Sequence, residues 1–210
     1  MKQLKLILFL ILIVGISTGM LSIVYYKTET RVLSNSDLKL QKVILDVFGI
    51  SYDESNILET FNKTISIKKK NDMILYESEN GIAIEITGPG FWGEIDAIIA
   101  LEKDLQTIIG FKVLKHSETP GLGGRITEDT FQDQFRGKRI SSGIKIVKRV
   151  KDQREGTESI TKATPMPKAN NQVDAITGAT QTSKAIERLI NDNVKKFHRE
   201  MGIYQEILHK

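Results

Sequence analysis

The chain opens on a long unbroken apolar run and then breaks into short periodic groups of apolar residues separated by polar ones. Leu6 to Tyr26 holds no charged residue. As a helix at 1.5 Å per residue it would be roughly 31 Å long, about the hydrocarbon thickness of a bilayer. We therefore expect an uncleaved membrane-spanning helix with Tyr25 and Tyr26 at one interface. A cleaved leader is the alternative. It fits less well, because its apolar core would be about twice too long and no clear small-x-small cleavage site precedes Lys27.

Beyond the run, periodicity changes along the chain. Leu38, Val43, Ile44, Val47 and Phe48 fall at helical spacing and predict a helix over Ser36 to Phe48, capped by Ser36 or Asp37. Glu54 to Phe61 predicts a second, short helix. Thr64 to Lys70 alternates as a half-buried strand, and Met73 to Glu77 continues it across Asn71-Asp72 as a hairpin. Gly81 to Thr87 sets Ile82, Ile84 and Ile86 on one face. Glu94 to Leu101 and Thr107 to Leu114 are the strongest strand patterns, with Glu102 to Gln106 as their hairpin loop. Thr127 to Phe135 reads as a helix capped by Thr127, with Thr130 or Phe131 on its inner face. Gly143 to Val150 reads as a strand and Asp152 to Asn171 as a polar loop closing over one side of the site. Ala185, Ile186, Leu189, Ile190, Val194, Phe197 and Met201 mark a last helix. The fold class expected is α+β, a single transmembrane helix followed by one mixed α/β domain with a largely antiparallel sheet. We divide the chain into an anchor (1–30), a helical and strand region (31–79), a main domain (80–200) and a tail (201–210).

Composition removes several chemistries. There is no Cys, so disulfides, Fe–S clusters and thiol nucleophiles are excluded. His116, His198 and His209 lack metal-ligand spacing, and the last two lie in a polar C-terminal stretch where solvated rings are expected. No metal site is expected. The net charge of +4 is modest, and the basic runs Lys68 to Lys70 and Lys145 to Lys151 lack interleaved aromatics. They read as solvated strand faces rather than a nucleic-acid surface. No G-x-G-x-x-G follows a strand and opens a helix, since Gly88-Pro-Gly90-Phe-Trp-Gly93 has the spacing but leads into the strand at Glu94, and G-x-x-x-x-G-K-[ST] does not occur, which gives no support to a nucleotide site.

Three segments carry candidate chemistry. The first is Asp174-Ala-Ile-Thr177-Gly178-Ala179-Thr180, followed by Gln181-Thr182-Ser183 and the last helix. Thr177, Thr180 or Thr182 could each be a plain N-cap. The same helix start, with free N–H groups and a partial positive charge, also suits a phosphate. The second is His116-Ser-Glu118-Thr119-Pro120-Gly121-Leu122-Gly123-Gly124, a strand ending in a turn that Pro120 stiffens and the glycines keep open. The third is Gly90-Phe91-Trp92-Gly93, whose Trp is read either as core packing or as an aromatic wall beside a ligand. Glu118 beside His116 could be an acid–base pair, but reads better as shaping the loop.

Together these segments resemble the FMN-binding subunits of two membrane redox pumps. They are the C subunit of the sodium-translocating NADH:quinone reductase and the G subunit of the Rnf complex. The resemblance covers roughly Asn80 to Val194 and implies FMN joined covalently to Thr180 through a phosphoester made by a separate flavin transferase. It places Asp174, Thr177, Gly178 and Ala179 in the attachment motif. It sets Glu118, Thr119, Gly121, Leu122 and Gly123 in a ring-facing loop, with Trp92 beside the ring. The function it implies is electron relay between redox subunits of an ion-translocating complex, from a domain on the outer side of the cytoplasmic membrane. No catalytic residues are expected on this chain. The alternatives are a flavoprotein relay for another extracytoplasmic reductase, and a membrane-anchored binding module without cofactor. The short length favours the Rnf type, whereas Gly-Phe-Trp-Gly and Gly-Leu-Gly-Gly favour the quinone reductase type.

Overall fold

The computed structural model describes residues 2–71, 73–148 and 170–202. Two compact units are present, Met1–Gln41 and Lys42–Lys210. Helix α1 spans Lys2–Phe48, and the part of it up to Gln41 falls in the first unit. The stretch Gln3–Tyr26 has 24 residues with mean hydropathy 2.7 and no burial, long and apolar enough to cross a membrane. The separate capped helix predicted from Ser36 does not exist. Nothing at Ser36 or Asp37 interrupts α1, because neither breaks a helix as Gly or Pro would.

The second unit is built on a five-stranded antiparallel meander. Strands β1 (Ser66–Lys70), β2 (Met73–Ser78), β3 (Gly81–Pro89), β4 (Glu94–Glu102) and β5 (Ile108–Lys115) lie in that order. A hairpin joins β1 to β2 as expected, with Asn71 at φ +48° and Lys70 opposite Met73. The register makes rows across the sheet. Ile84, Ile99 and Phe111 align on one face, while Ala83, Ala100 and Gly110 align on the other.

Those rows decide what packs where. The large-residue face meets helix α4 (Thr180–Glu200), whose Ile186, Leu189, Ile190, Val194 and Phe197 share one core with Ile84, Ile99 and Phe111. The small-residue face admits a helix backbone. A β carbon added to Gly110 would stand 2.3 Å from the carbonyl oxygen of Val47. Ile44, Leu45, Val47 and Phe48, with Ile57 and Phe61 of α2 (Ile57–Thr64), are buried there. Helix α2 starts three residues later than predicted. Asn56 holds the preceding turn through its side-chain oxygen, which accepts from the Asp53 N–H at 2.9 Å.

Several other expectations change. Strand β1 is exposed at all five positions rather than half-buried, because it is the edge strand, two places from the β3 strand on which α4 packs. The helix predicted over Thr127 to Phe135 breaks into a 3-10 turn Gly123–Thr127, a four-residue helix α3 (Asp129–Gln132) and a 3-10 turn Asp133–Phe135. Thr127 does not cap it; its hydroxyl donates to the Gly124 carbonyl at 3.0 Å. Phe131 and Phe135 are buried and stack edge-on at 5.4 Å, whereas Thr130 is exposed.

The strand predicted from Gly143 is the short β6 (Lys145–Val147), which pairs in parallel with β7 (Gln172–Asp174), a strand the pattern did not show. The loop expected over Asp152 to Asn171 lies outside the described residues, apart from its last two. His198 is buried rather than solvated. Its Nε2 N–H donates to the Leu105 carbonyl at 2.6 Å, and burial pushes the imidazole below its ordinary pKa. His209 lies outside the described residues.

Candidate functional site

Three segments far apart in sequence meet at one carboxylate. Glu118 follows β5 and its side chain is only 4% exposed. Oε1 accepts from the N–H groups of Phe91 at 2.7 Å and Trp92 at 3.1 Å, in the turn between β3 and β4. Oε2 accepts from the Thr182 hydroxyl at 2.6 Å, in the first turn of α4. His116 is not its acid–base partner, since the imidazole Nδ1 accepts from the Glu118 backbone N–H at 3.1 Å. The carboxylate is fully engaged with the turn and with α4, which agrees with a shaping role.

The loop after Glu118 is closed on Thr119, whose carbonyl accepts from the N–H groups of Leu122 at 3.2 Å and Gly124 at 2.9 Å. Gly121 sits at φ +73°, which only glycine adopts readily. Gly123 is packed under the loop, where an added β carbon would lie 2.6 Å from the Thr182 hydroxyl. Leu122 stays 48% exposed at the tip. It reaches the Asp174–Thr180 segment, because a β carbon on Gly178 would lie 3.4 Å from its Cδ2.

The motif itself lies between β7 and α4, and its hydroxyls divide cleanly. Ser183 is buried. Its Oγ accepts from the Ile176 N–H at 3.1 Å and donates to the Ala179 carbonyl at 2.9 Å, closing residues 176–179 onto the helix. Thr182 is buried against Glu118. Thr177 is exposed and Thr180 half-buried, and neither hydroxyl is hydrogen-bonded among the described residues. None of these side chains caps α4. Ala179 occupies the position before the helix and has no acceptor to offer. The capping reading is thereby overturned.

Thr180 opens onto a pocket of about 360 Å³ with Lys148, Ala175, Ile176, Thr177 and Gly178. Asp174 faces a second hollow of about 160 Å³ with Arg125, Glu128, Phe131 and Gln134. Its backbone N–H donates to the Gln134 side chain at 2.9 Å. In that hollow the Arg125 guanidinium lies 3.0 Å from Glu128 and holds its carboxyl below the usual range.

Trp92 is 68% exposed and so is not core. It stands edge-on to Phe91, itself 54% exposed, at 5.1 Å. Sequence reasoning missed Phe91, Lys148, Thr182 and Ser183 as site residues. Thr182 and Ser183 were readable in principle, since they extend the apolar stripe of α4 back from Ile186 at spacings of four and three.

A family model described as an FMN-binding domain matches residues 90–195, which is 106 of the 210 residues. The chain belongs to the FMN-binding domain family. Curated relatives of this FMN-binding protein include the C subunit of the Na(+)-translocating NADH-quinone reductase of Chlamydia muridarum, 39% identical over 123 residues. That match covers 52% of this chain and 36% of the relative, so the chain spans well under half of that protein's length. The G subunit of the ion-translocating oxidoreductase complex of Methanosarcina acetivorans is 27% identical over 205 residues, covering 94% of this chain and 96% of the relative. Among solved structures, Shewanella oneidensis NqrC matches with a TM-score of 0.63 at 19% identity, covering 85% of this chain and 100% of that one, which shows a shared fold.

The site fits FMN. A phosphate needs donors, and the first N–H groups of a 21-residue helix without a side-chain cap supply them, with Lys148 on the same pocket wall. A flat apolar ring needs apolar surface. Leu122, which lies near Gly178, supplies it at the motif, and the exposed Phe91 and Trp92 lie on the turn that Glu118 holds.

Proposed function

We propose that this chain is an electron-relay subunit of a membrane-bound ion-translocating oxidoreductase complex, with FMN esterified through its phosphate to Thr180. The observation that carries the reading is the sorting of the motif hydroxyls. Thr182 and Ser183 are consumed inside the fold, while Thr180 stands at the uncapped start of α4 beside a pocket, its hydroxyl unbonded among the described residues. The flavin supplies one- or two-electron transfer when bound. The chain's own residues do the rest. The α4 N-terminus and Lys148 face the phosphate charge. Asp174, with Thr177, Gly178 and Ala179, forms the segment that a flavin transferase reads. Thr119, Gly121 and Leu122 would form one wall for the ring and Trp92 another, with Gly123 packed beneath that loop. No acid, base and nucleophile set is assembled among the described residues, and the relay acts with other redox subunits.

The full-length match to a G subunit, against the partial match to a C subunit, favours the Rnf type. We take Gln3–Tyr26, long and apolar enough to span, as the anchor, and we propose that the domain of residues 80–200 lies on the extracytoplasmic side. The test is co-expression of the exported chain with a flavin transferase, followed by fluorescence on a denaturing gel, intact mass and peptide mapping. Wild type and Thr177→Ala should carry flavin and Thr180→Ala should not. Full fluorescence in Thr180→Ala would refute the attachment site. Asp174→Ala should give folded protein with little flavin.

A further inference from the structure

We propose that Glu118 is a positioning residue whose single buried carboxylate fixes the aromatic turn, residues 90–93, against the first turn of α4. The turn is closed on itself by the Gly90 N–H, which donates to the Gly93 carbonyl at 2.7 Å and does not tie it to the rest of the fold. Trp92 is 68% exposed and Phe91 54%, so core packing does not orient them. Their N–H groups on Glu118 Oε1 do, at 2.7 and 3.1 Å across sequence gaps of 27 and 26 residues. The other oxygen holds Thr182 at 2.6 Å across a gap of 64 residues, two positions from Thr180. Accepting from all three donors is what a carboxylate does, and hydrogen bonds to a charged acceptor are the stronger kind. The arrangement makes α4 and the aromatic turn move as one. It also buries a carboxylate against Thr182, two positions from Thr180, and a negative charge there would disfavour electron gain by a flavin held at Thr180.

The first arm of the test needs no flavin and does not depend on the proposed function. The full chain is prepared in mild detergent without a flavin transferase. Trp92 is the only Trp, so its fluorescence anisotropy reports the turn alone. Amide hydrogen exchange at Phe91 and Trp92 reports the two bonds. Glu118→Ala should lower the anisotropy and speed exchange at these amides about tenfold or more, the loss of hydrogen bonds to a charged acceptor. Glu118→Gln keeps one acceptor oxygen and should speed it no more than about threefold. Thr182→Val alters only α4, yet should be felt at the same two amides and not at β2. If Glu118→Ala fails to fold, Thr182→Val decides. Unchanged exchange at Phe91 and Trp92 in the folded variants would overturn the proposal.

The second arm rests on FMN at Thr180. Flavin-loaded Glu118→Gln should have a more positive midpoint potential than wild type, with circular dichroism unchanged. An unchanged potential would overturn the electrostatic part. A wild-type chain that takes no flavin would sink the proposed function and leave the first arm standing.

Discussion

Replacing Thr182 by Val should destabilise the domain far more than replacing Thr180 by Val, though both change one hydroxyl to a methyl in the same helical turn. Thr182 is 3% exposed, and its hydroxyl donates to a carboxylate oxygen at 2.6 Å. Valine is nearly isosteric, so the change removes the bond with little change in packing. A buried bond to a charged acceptor contributes about 1.5–3 kcal/mol. For a domain of this size, each kcal/mol moves the melting temperature by about 2–4 °C, so a loss near 2 kcal/mol lowers it by about 4–8 °C. Thr180 is half-buried, and its hydroxyl makes no hydrogen bond among the described residues. Its replacement should stay within about 0.5 kcal/mol, or about 2 °C. The assay is thermal unfolding of the flavin-free full chain in mild detergent, followed by Trp92 emission and circular dichroism. A Thr182→Val melt within about 1 °C of wild type would refute the reasoning. So would an equal loss in Thr180→Val. Flavin loading should show the reverse ranking, with Thr182→Val still labelled and Thr180→Val not.

Gly110→Ala should overpack the sheet face under α1, since its β carbon would sit 2.3 Å from the Val47 carbonyl oxygen. Equilibrium urea unfolding should show a loss of about 1–3 kcal/mol or more. His198 should make stability fall in acid. Its folded pKa is depressed, so below about 6.5 the unfolded chain binds the proton first, and stability declines as pH drops from there toward the folded value. The urea midpoint should therefore fall between pH 7.5 and 5.5, and His198→Gln should flatten that slope. Protease added outside intact cells or spheroplasts should digest the domain while residues before Lys27 remain in the membrane fraction. Protection of the domain would contradict the outward orientation.

Much of the architecture was legible because periodicity and burial coincide in it. β3, β4 and β5 alternate or run apolar, and α4 repeats its apolar residues through three turns and more. Where periodicity is thin, legibility ended. β7 has three residues, too short for any pattern, and is held by pairing with β6, a non-local fact. The stretch after Gly123 has helical spacing at Phe131 and Phe135, but Glu128 takes an extended backbone (φ -69°, ψ 135°) and divides it into short turns. His198 sits among polar neighbours in sequence, and only the fold of the β4–β5 hairpin brings the Leu105 carbonyl to it. At the site, the resemblance picked out three segments that the fold brings together, but not what joins them. Glu118 was read as shaping its own loop. That its carboxylate reaches 27 residues back and 64 residues forward was not visible in a linear string.

Four hydroxyls lie within seven residues of the motif, at Thr177, Thr180, Thr182 and Ser183. In the folded chain two of them are sequestered, one under Glu118 and one under the Ile176–Ala179 turn. Any enzyme or reagent approaching the folded protein is thus offered a choice of two nucleophiles rather than four. Chemoselectivity at this stretch is in part a property of the substrate's tertiary structure. An unfolded chain would present all four alike, so the fidelity of modification becomes tied to the order of events, with folding first.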